Sequence, residues 1–368
     1  MQLKSKILIA ITLLVFILLT ILITHRRENT QEATEVHTVR VMESVRSPYF
    51  LPLYLAQNLN FFKEQNLEVK ITTSSPGAIR AALQDRRTDI ALCGLQKIIF
   101  NPALSDKGEA LPKIFGTMSL QDGSLLLGRQ DSTGFQWSDL KDKTIIGNSQ
   151  DDSSGIALES VLRQNNLPPY RKMIIYYNIP EALRLGAFRS GTGNYIQLLE
   201  PEASLAEAQG YGRVVAAVGE TSGPMAVTAF AALPAYIEEQ PGDIQKFTNA
   251  ICKAQLWLSQ HSAEEVLQAV SQSFNNLDQQ ILLKSIQRYQ SLNIWTGNPQ
   301  VPLEAYERFI AAAKAAGEIA GTVPYETAVI NDFARQSMET VVYDRSTEKP
   351  QKKSLLTGIL SDLPAIKD

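Results

Sequence analysis

The sequence predicts an α/β fold, and three observations carry that prediction. From His37 onward, short β-rich runs alternate with longer runs whose apolar residues recur at helical spacing. The run Thr88 to Gly94 is very apolar, as a central strand buried on both faces would be. Beyond about Ile237 the spacing is helical, so a β-α series closes with helices.

The bulk composition fits this class. A chain of 368 residues suits two domains, or one large domain, with extensions. Hydrophobic residues make up 44% and charged residues 20%, a globular balance. The formal net charge is −3, and no basic patch carries interleaved aromatics, so nucleic-acid binding has no support.

The elements follow in order. Ile7 to Thr24 has no charge, Gly or Pro and comes close to the ~20 residues of a membrane-spanning helix. Lys4 and Lys6 precede it, and Thr24-His25-Arg26-Arg27 follows without an Ala-x-Ala site, so residues 1–27 read as an uncleaved signal anchor with a cytoplasmic amino end, a cleaved leader being the alternative. Residues 28–36 read as a polar linker. Thr38 to Met42 is a strand, Leu53 to Gln65 a helix, and Leu67 to Thr72 a half-exposed strand with period two. After Pro76-Gly77, Ala78 to Asp85 is a short helix, and Thr88 to Gly94 is the third strand. Ile114 to Ser119 and Ser124 to Gly128 are extended.

A second α/β unit then begins. Thr144 to Gly147 is a strand, the polar loop Asn148 to Gly155 opens a helix running to about Asn165, and Met173 to Tyr177 is a strand. The helix Ile179 to Ser190 has Pro180 in its first turn, where a missing N–H costs little. Tyr195 to Leu199 and Arg213 to Val218 are strands. Ile237–Gln260, Ala263–Ser271, Leu277–Gln290 and Leu303–Ala316 are amphipathic helices, and beyond about Asp344 the chain is a polar tail. Cys93 and Cys252 are the two cysteines, neither beside the apolar stretch, and both read as small, separately buried side chains, with a long-range disulfide as the alternative in an exported protein.

The residues offer little for catalysis. The three histidines, His25, His37 and His261, are scattered, and no metal-ligand cluster, nucleophile elbow or phosphate-cradling loop occurs. No metal or cofactor is expected. A binding site is better supported, because ligands of α/β sheets lie beyond the carboxyl ends of the strands. The loops there are Ser47-Pro48-Tyr49-Phe50, Ser74-Ser75-Pro76-Gly77, Gly94-Leu95-Gln96 and Asn148 to Ser154. The last of these offers backbone N–H groups and serine hydroxyls at a helix start, either for an anion or for ordinary N-capping.

The ordered set Pro52, Tyr54, Ala56, Phe61, Phe62, Glu64, Leu67 and Val69 resembles the opening of the substrate-binding proteins of nitrate, sulfonate and taurine ABC transporters, a group that includes the thiamine-pyrimidine-precursor binders. Ala82-Leu83 with Asp89-Ile90-Ala91-Leu92-Cys93-Gly94, Asp139 to Gly147, and Glu200-Pro201 resemble that family's later motifs, in the right order. Asn60 stands where the family has Gly before its paired Phe, and Asp142 where it has Gly in its Leu-Lys-Gly-Lys turn. Asn tolerates left-handed turn geometry better than most residues.

The resemblance implies a two-lobe type II periplasmic-binding-protein fold with two crossovers, near Thr117–Gln121 and Pro224–Phe230, preceded by the transmembrane helix. Lobe 1 is expected at 37–119 and 227–325, lobe 2 at 120–226, and a C-terminal extension and tail at 326–368. With the apolar segment as its membrane anchor, the resemblance implies an extracytoplasmic, monomeric protein that delivers a small solute to ABC permease and ATPase subunits. Tyr49 and Phe50 would face the ligand, with Ser47, Gln96, Ser119, Gln121, Ser149, Ser153 and Ser154 as polar contacts. Glu200 would repel a sulfonate- or nitrate-type anion unless it faces away or is paired; alternatively it would hydrogen-bond a pyrimidine-type solute stacked on Tyr49 or Tyr195. An enzyme of thiamine-pyrimidine synthesis on the same fold, which relies on a histidine and a cysteine-rich motif, and a ligand-sensing ectodomain are the other readings.

Overall fold

A computed structural model describes residues 36–99, 110–129, 134–149, 152–319, 321 and 323–348. The anchor read at 1–27, most of the linker and the end of the tail lie outside these residues. Among the described residues no helix is long and apolar enough to cross a membrane.

The elements run in chain order as β1 (His37–Glu43), α1 (Leu51–Asn58), α2 (Phe61–Glu64), β2 (Leu67–Thr73), α3 (Pro76–Gln84), β3 (Ile90–Gly94), α4 (Leu95–Ile99) and β4 (Lys113–Gly116). Then come β5 (Leu125–Gly128), β6 (Thr144–Ile146), α5 (Ser153–Gln164), β7 (Ile174–Tyr176), α6 (Glu181–Arg189), β8 (Tyr195–Leu198), α7 (Glu202–Ala208), β9 (Arg213–Ala217) and α8 (Val218–Ser222). The chain closes with β10 (Thr228–Ala232), α9 (Pro234–Glu239), α10 (Pro241–Leu258), α11 (Ala263–Val270), α12 (Gln279–Ser291), α13 (Leu303–Ala316), α14 (Tyr325–Ala328) and α15 (Asp332–Thr340).

Two five-stranded sheets result, in the orders β2-β1-β3-β10-β4 and β7-β6-β8-β5-β9. Both follow one plan: three parallel strands, then an antiparallel one, then an edge strand. In each sheet the antiparallel strand, β10 or β5, is the first one formed after the chain arrives from the other sheet. The chain leaves the first sheet through residues 117–124 and returns through 223–227. Such βαβ units put strand-to-helix loops along one edge of each sheet, and the two edges face each other.

Local chemistry accounts for the departures from the expected elements. The helix expected over Leu53–Gln65 is two helices, because Asn60 sits at φ 63° and breaks the ladder between α1 and α2. Asp142 sits at φ 59°. Both residues that replace a family glycine therefore adopt the left-handed geometry that a glycine would supply. The helix expected over Ile237–Gln260 divides at Pro241, whose missing N–H suits the first turn of α10 and ends α9. The strand expected over Ile114–Ser119 stops at Gly116, where Thr117 Oγ1 turns the chain by donating to Ser119 O (2.8 Å) and Thr228 O (2.9 Å). Thr88 and Asp89 precede β3 rather than join it, and Asp89 is held by the Arg40 guanidinium.

The first sheet is covered by α1 and by α10, whose Phe247 stacks on Phe62 at 5.1 Å and meets Phe230 edge-on at 5.1 Å. Cys93 and Cys252 are both free thiols in the interior. The C-terminal helices also reach the second sheet's side: α12 packs on α7, and α13 packs on α5.

Candidate functional site

A cleft of about 570 Å³ lies where the two sheets' loop edges meet. From the first sheet it is lined by the β1–α1 loop and the start of α4; from the second by the β6–α5, β7–α6 and β8–α7 loops.

Ser47, Tyr49, Phe50, Gln96, Ser149, Ser153, Ser154 and Glu200 all line it, whereas Ser119, Gln121 and Tyr195 do not. Ser119 is buried in the outgoing crossing, its hydroxyl donating to Gln121 O (2.8 Å). Gln121 enters through its backbone, as the acceptor for Tyr49 Oη (2.7 Å). Tyr195 opens β8 at the far end of the strand from the cleft, where its ring packs beside Phe135.

Tyr49 does not stand out as a stacking platform. It is 4% exposed, its Oη is bonded to the crossing, and its ring is wedged against Phe50 and Tyr289. Gly123 makes room for it, since a Cβ there would fall 2.5 Å from the ring. Trp295 Nε1 donates to Tyr49 O (2.9 Å), so the loop is pinned at both ends.

The start of α5 is capped, and its two serine hydroxyls are engaged by other side chains. Asp152 caps it by accepting from Ser154 N (3.3 Å), Ser153 Oγ donates to Gln96 Oε1 across the cleft, and Ser154 Oγ donates to Asp122 Oδ2 (2.7 Å). Gln197 completes this floor by donating to Ser124 Oγ and Ser154 O, both at 2.8 Å. Of the two uses open to the loop, the structure shows capping. Burial raises the carboxyl of Asp122 against its serine hydrogen bonds, and burial pushes Asp152 up to about 6, with the nearby Asp122 charge adding to it.

Glu200 faces away. Its side chain is fully buried, and it accepts from Arg288 Nη1, Ser204 Oγ (2.9 Å) and Ser285 Oγ (3.1 Å), on the side of α7 and α12. Its carbonyl accepts from Ser47 Oγ (2.7 Å), a residue of the facing cleft wall. The stacked arrangement on Tyr49 or Tyr195 with Glu200 as partner is therefore not assembled.

Three cationic residues line the cleft, Arg46, Lys97 and Arg184, and three acids besides Glu200 line it too, Asp152, Glu181 and Glu202. Arg46 Nε donates to Glu43 Oε1 (3.1 Å), and its guanidinium lies 5.2 Å from the Tyr54 ring centre. Glu43 is itself held by Tyr54 Oη and Thr73 Oγ1, so Arg46 projects from a rigid base; burial raises the Glu43 carboxyl despite these bonds. Arg184 donates to Asn148 Oδ1 and lies 3.7 Å from Glu181. Arg46 and Lys97 sit beside Ser47 and Gln96, which the sequence did single out, so loop position alone could have found them. Arg184 follows Pro180 by about one helical turn, and a helical wheel would have brought it to the same rim.

Tyr177 also lines the cleft and went unread in the sequence. Its Oη donates to Glu159 Oε1 (2.9 Å), and its ring packs so closely on Gly147 that a Cβ there would lie 2.8 Å from it. Among the described residues neither a histidine nor a cysteine lines the cleft, and no group of three or more His, Cys, Asp or Glu could hold a metal ion.

Comparison with known proteins agrees with this architecture. The family model described as NMT1/THI5 like matches residues 47–265. The Bacillus subtilis (strain 168) protein named "Putative binding protein YtlA" is 33% identical over 299 residues, covering 81% of this chain and 89% of that protein. Among solved structures, the ligand-binding component of an ABC-type import system from Staphylococcus aureus, with zinc bound, superposes with a TM-score of 0.65 at 13% identity, covering 82% of this chain and 99% of the other. The alkanesulfonate-binding protein SsuA from Xanthomonas axonopodis pv. citri, bound to MOPS, gives 0.62 at 17% identity, covering 81% and 100%. With its two-lobe periplasmic-binding-protein fold and these matches, the chain belongs to the NMT1/THI5-like family.

Proposed function

We propose that this chain is an extracytoplasmic solute-binding protein that captures a small organic anion and hands it to an ABC importer. The carrying observation is the set of charges around the cleft: Glu200 is held outside it by Arg288, while Arg46, Lys97 and Arg184 line it together with Asp152, which burial inclines to its uncharged form, Glu181 and Glu202. Arginine clamps suit sulfonate and carboxylate oxygens in particular. A cavity of about 570 Å³ falls in the range of sites that enclose whole organic molecules, which favours an organic anion over a bare inorganic one. Tyr177 supports a planar group in that anion, because its ring borders the cavity.

The import role rests on the relatives, one of which is a component of an ABC-type import system. The lobes are 37–119 with 227–325, and 120–226, with residues 1–27 as the tether and permease and ATPase subunits as partners. Among the described residues His37 pairs with Asp243 (3.0 Å) and His261 with Glu348 (3.2 Å), both away from the cleft, which supports binding over catalysis there.

Thermal shift tests the reading, with the purified chain screened against alkane- and arylsulfonates, carboxylates, nitrate and pyrimidines. A ligand at ~100 times its dissociation constant adds about 2.7 kcal/mol of stability. Stabilisation by nitrate alone, or by uncharged pyrimidines alone, would overturn the organic-anion assignment, and turnover of the bound compound would overturn the binding role.

A further inference from the structure

Every polar group of Glu200 is engaged, and most partners come from outside the second lobe. Its N–H donates to Tyr289 Oη (3.0 Å), and its carbonyl accepts from Ser47 Oγ (2.7 Å). Its carboxylate accepts from Ser285 Oγ and Arg288 Nη1 on α12. Tyr289 Oη in turn donates to Gly123 O (3.0 Å), on the outgoing crossing. One buried hydroxyl thus ties three parts of the chain together: helix α12, the β8–α7 loop and a connection between the lobes. The Tyr289 ring is fixed by edge contacts with Tyr49 (6.0 Å) and Trp295 (5.7 Å). At the opposite lip the lobes also touch, with Ser153 Oγ donating to Gln96 Oε1 and lying 2.6 Å from where a Cβ on Gly94 would be.

We propose that Tyr289 and Glu200 form a latch that holds the two lobes together over the cleft. Ser47, Ser285 and Arg288 complete it. The closed arrangement is then stabilised by the chain's own hydrogen bonds, and a solute adds to that closure rather than creating it. Tyr289 and Glu200 are positioning residues here: they set the separation of the walls without supplying a cleft-facing side chain. The consequence for binding rests on reading the cleft as a solute site; the latch itself does not.

The test is solute-free. Ser153 is 2% exposed beneath the lip. The thiol introduced by Ser153→Cys in the full chain is reached by a bulky maleimide when the lobes part, and labelling at each site is read by peptide mass. Buried Cys252, in α10, reports global unfolding in the same sample. Adding Tyr289→Phe is expected to raise the labelling rate at position 153 about fivefold or more, since it leaves the Glu200 N–H and Gly123 O unsatisfied. Ser285→Ala is expected to raise it less, since Glu200 Oε2 keeps the Ser204 N–H, with Cys252 unchanged in both. Tyr306→Phe, whose hydroxyl serves Val323 O, leaves the rate unchanged. Equal rates in the parent and both latch variants, or a matching rise at Cys252, would overturn the latch. Should Tyr289→Phe not fold, Ser285→Ala and Ser47→Ala decide by the same criteria. Failure here leaves the solute assignment standing, and failure of every anion to bind leaves the latch standing.

Discussion

Arg288 holds Glu200 and Glu207 with one guanidinium, reaching Glu207 Oε2 at 2.5 Å and the fully buried Glu200 carboxylate beside it. The acid of the Glu-Pro motif is thereby committed to joining α12 and α7, on the side away from the solute. Glu200→Ala is therefore expected to act first on stability, lowering it by about 3–5 kcal/mol in urea titration, as removal of one partner of a buried pair does. A fully stable variant with lost binding would show that the carboxylate reaches the solute after all.

Charge removal inside the cleft should have the opposite signature. Arg46→Ala and Arg184→Ala are each expected to weaken binding of an organic sulfonate or carboxylate about tenfold or more by calorimetry, because a charge-assisted hydrogen bond is lost. Arg46 is half-exposed, and the buried Glu43 it pairs with keeps Tyr54 and Thr73 as donors, so its removal should cost less stability than the loss of Glu200. Unchanged affinity in both variants would move the anion elsewhere.

Two acids should bend the pH profile in opposite senses. Burial works to raise Glu207, but bonds from Lys284, the Val214 N–H and Arg288 outweigh it and hold the carboxyl at about 2, below its ordinary 4.5. Its stabilisation is full above about 4.5 and is lost as pH falls toward 2. Asp152 is raised from 3.8 to about 6, so it penalises the folded state above that value and ceases to as pH falls toward 4. Glu207→Gln should lower stability at pH 7 and remove the acid limb, and Asp152→Asn should raise stability at pH 7.5 and flatten the profile between 4 and 6. Each effect is about 1–3 kcal/mol in urea titrations across pH.

Gly123→Ala tests the packing under the β1–α1 loop. The new methyl group would meet the Tyr49 ring at 2.5 Å, and Tyr49 has nowhere to go between Phe50 and Tyr289. A loss of about 1–3 kcal/mol in thermal or urea unfolding is expected. Wild-type stability would mean that the ring is looser than its contacts imply.

Much of the fold was legible because its elements obey simple periods. Leu303–Ala316 shows helical spacing and forms α13 over those same residues, and the strands of the second sheet fall within a residue or two of their β-rich runs. Asn60 was legible as a stand-in for glycine, but not as a helix break, because the apolar spacing of Leu53, Tyr54, Phe61 and Phe62 continues across it. Thr228–Ala232 went unread as a strand. Its Thr-Ala-Phe-Ala-Ala composition has little β preference, and its place between β3 and β4 is set by tertiary packing. In the site, the loops were legible from topology, but the direction of each side chain was not. Glu200 turns away because of Arg288, a contact between residues far apart in sequence, and Tyr195 misses the cleft because it opens β8 at the strand's far end.

The late arrival of β10 has a consequence for synthesis. A nascent chain that has reached residue 217 already holds every strand of the second sheet, while the first still has a gap beside β3. The inserted lobe can thus fold as a contiguous unit on the ribosome, and the lobe that begins the chain must wait for residues 228–232 before its sheet is whole. Until then the open edge of β3 is the segment most exposed to wrong pairing, so a pause in translation before residues 228–232 have left the ribosome should be the most hazardous one for this protein.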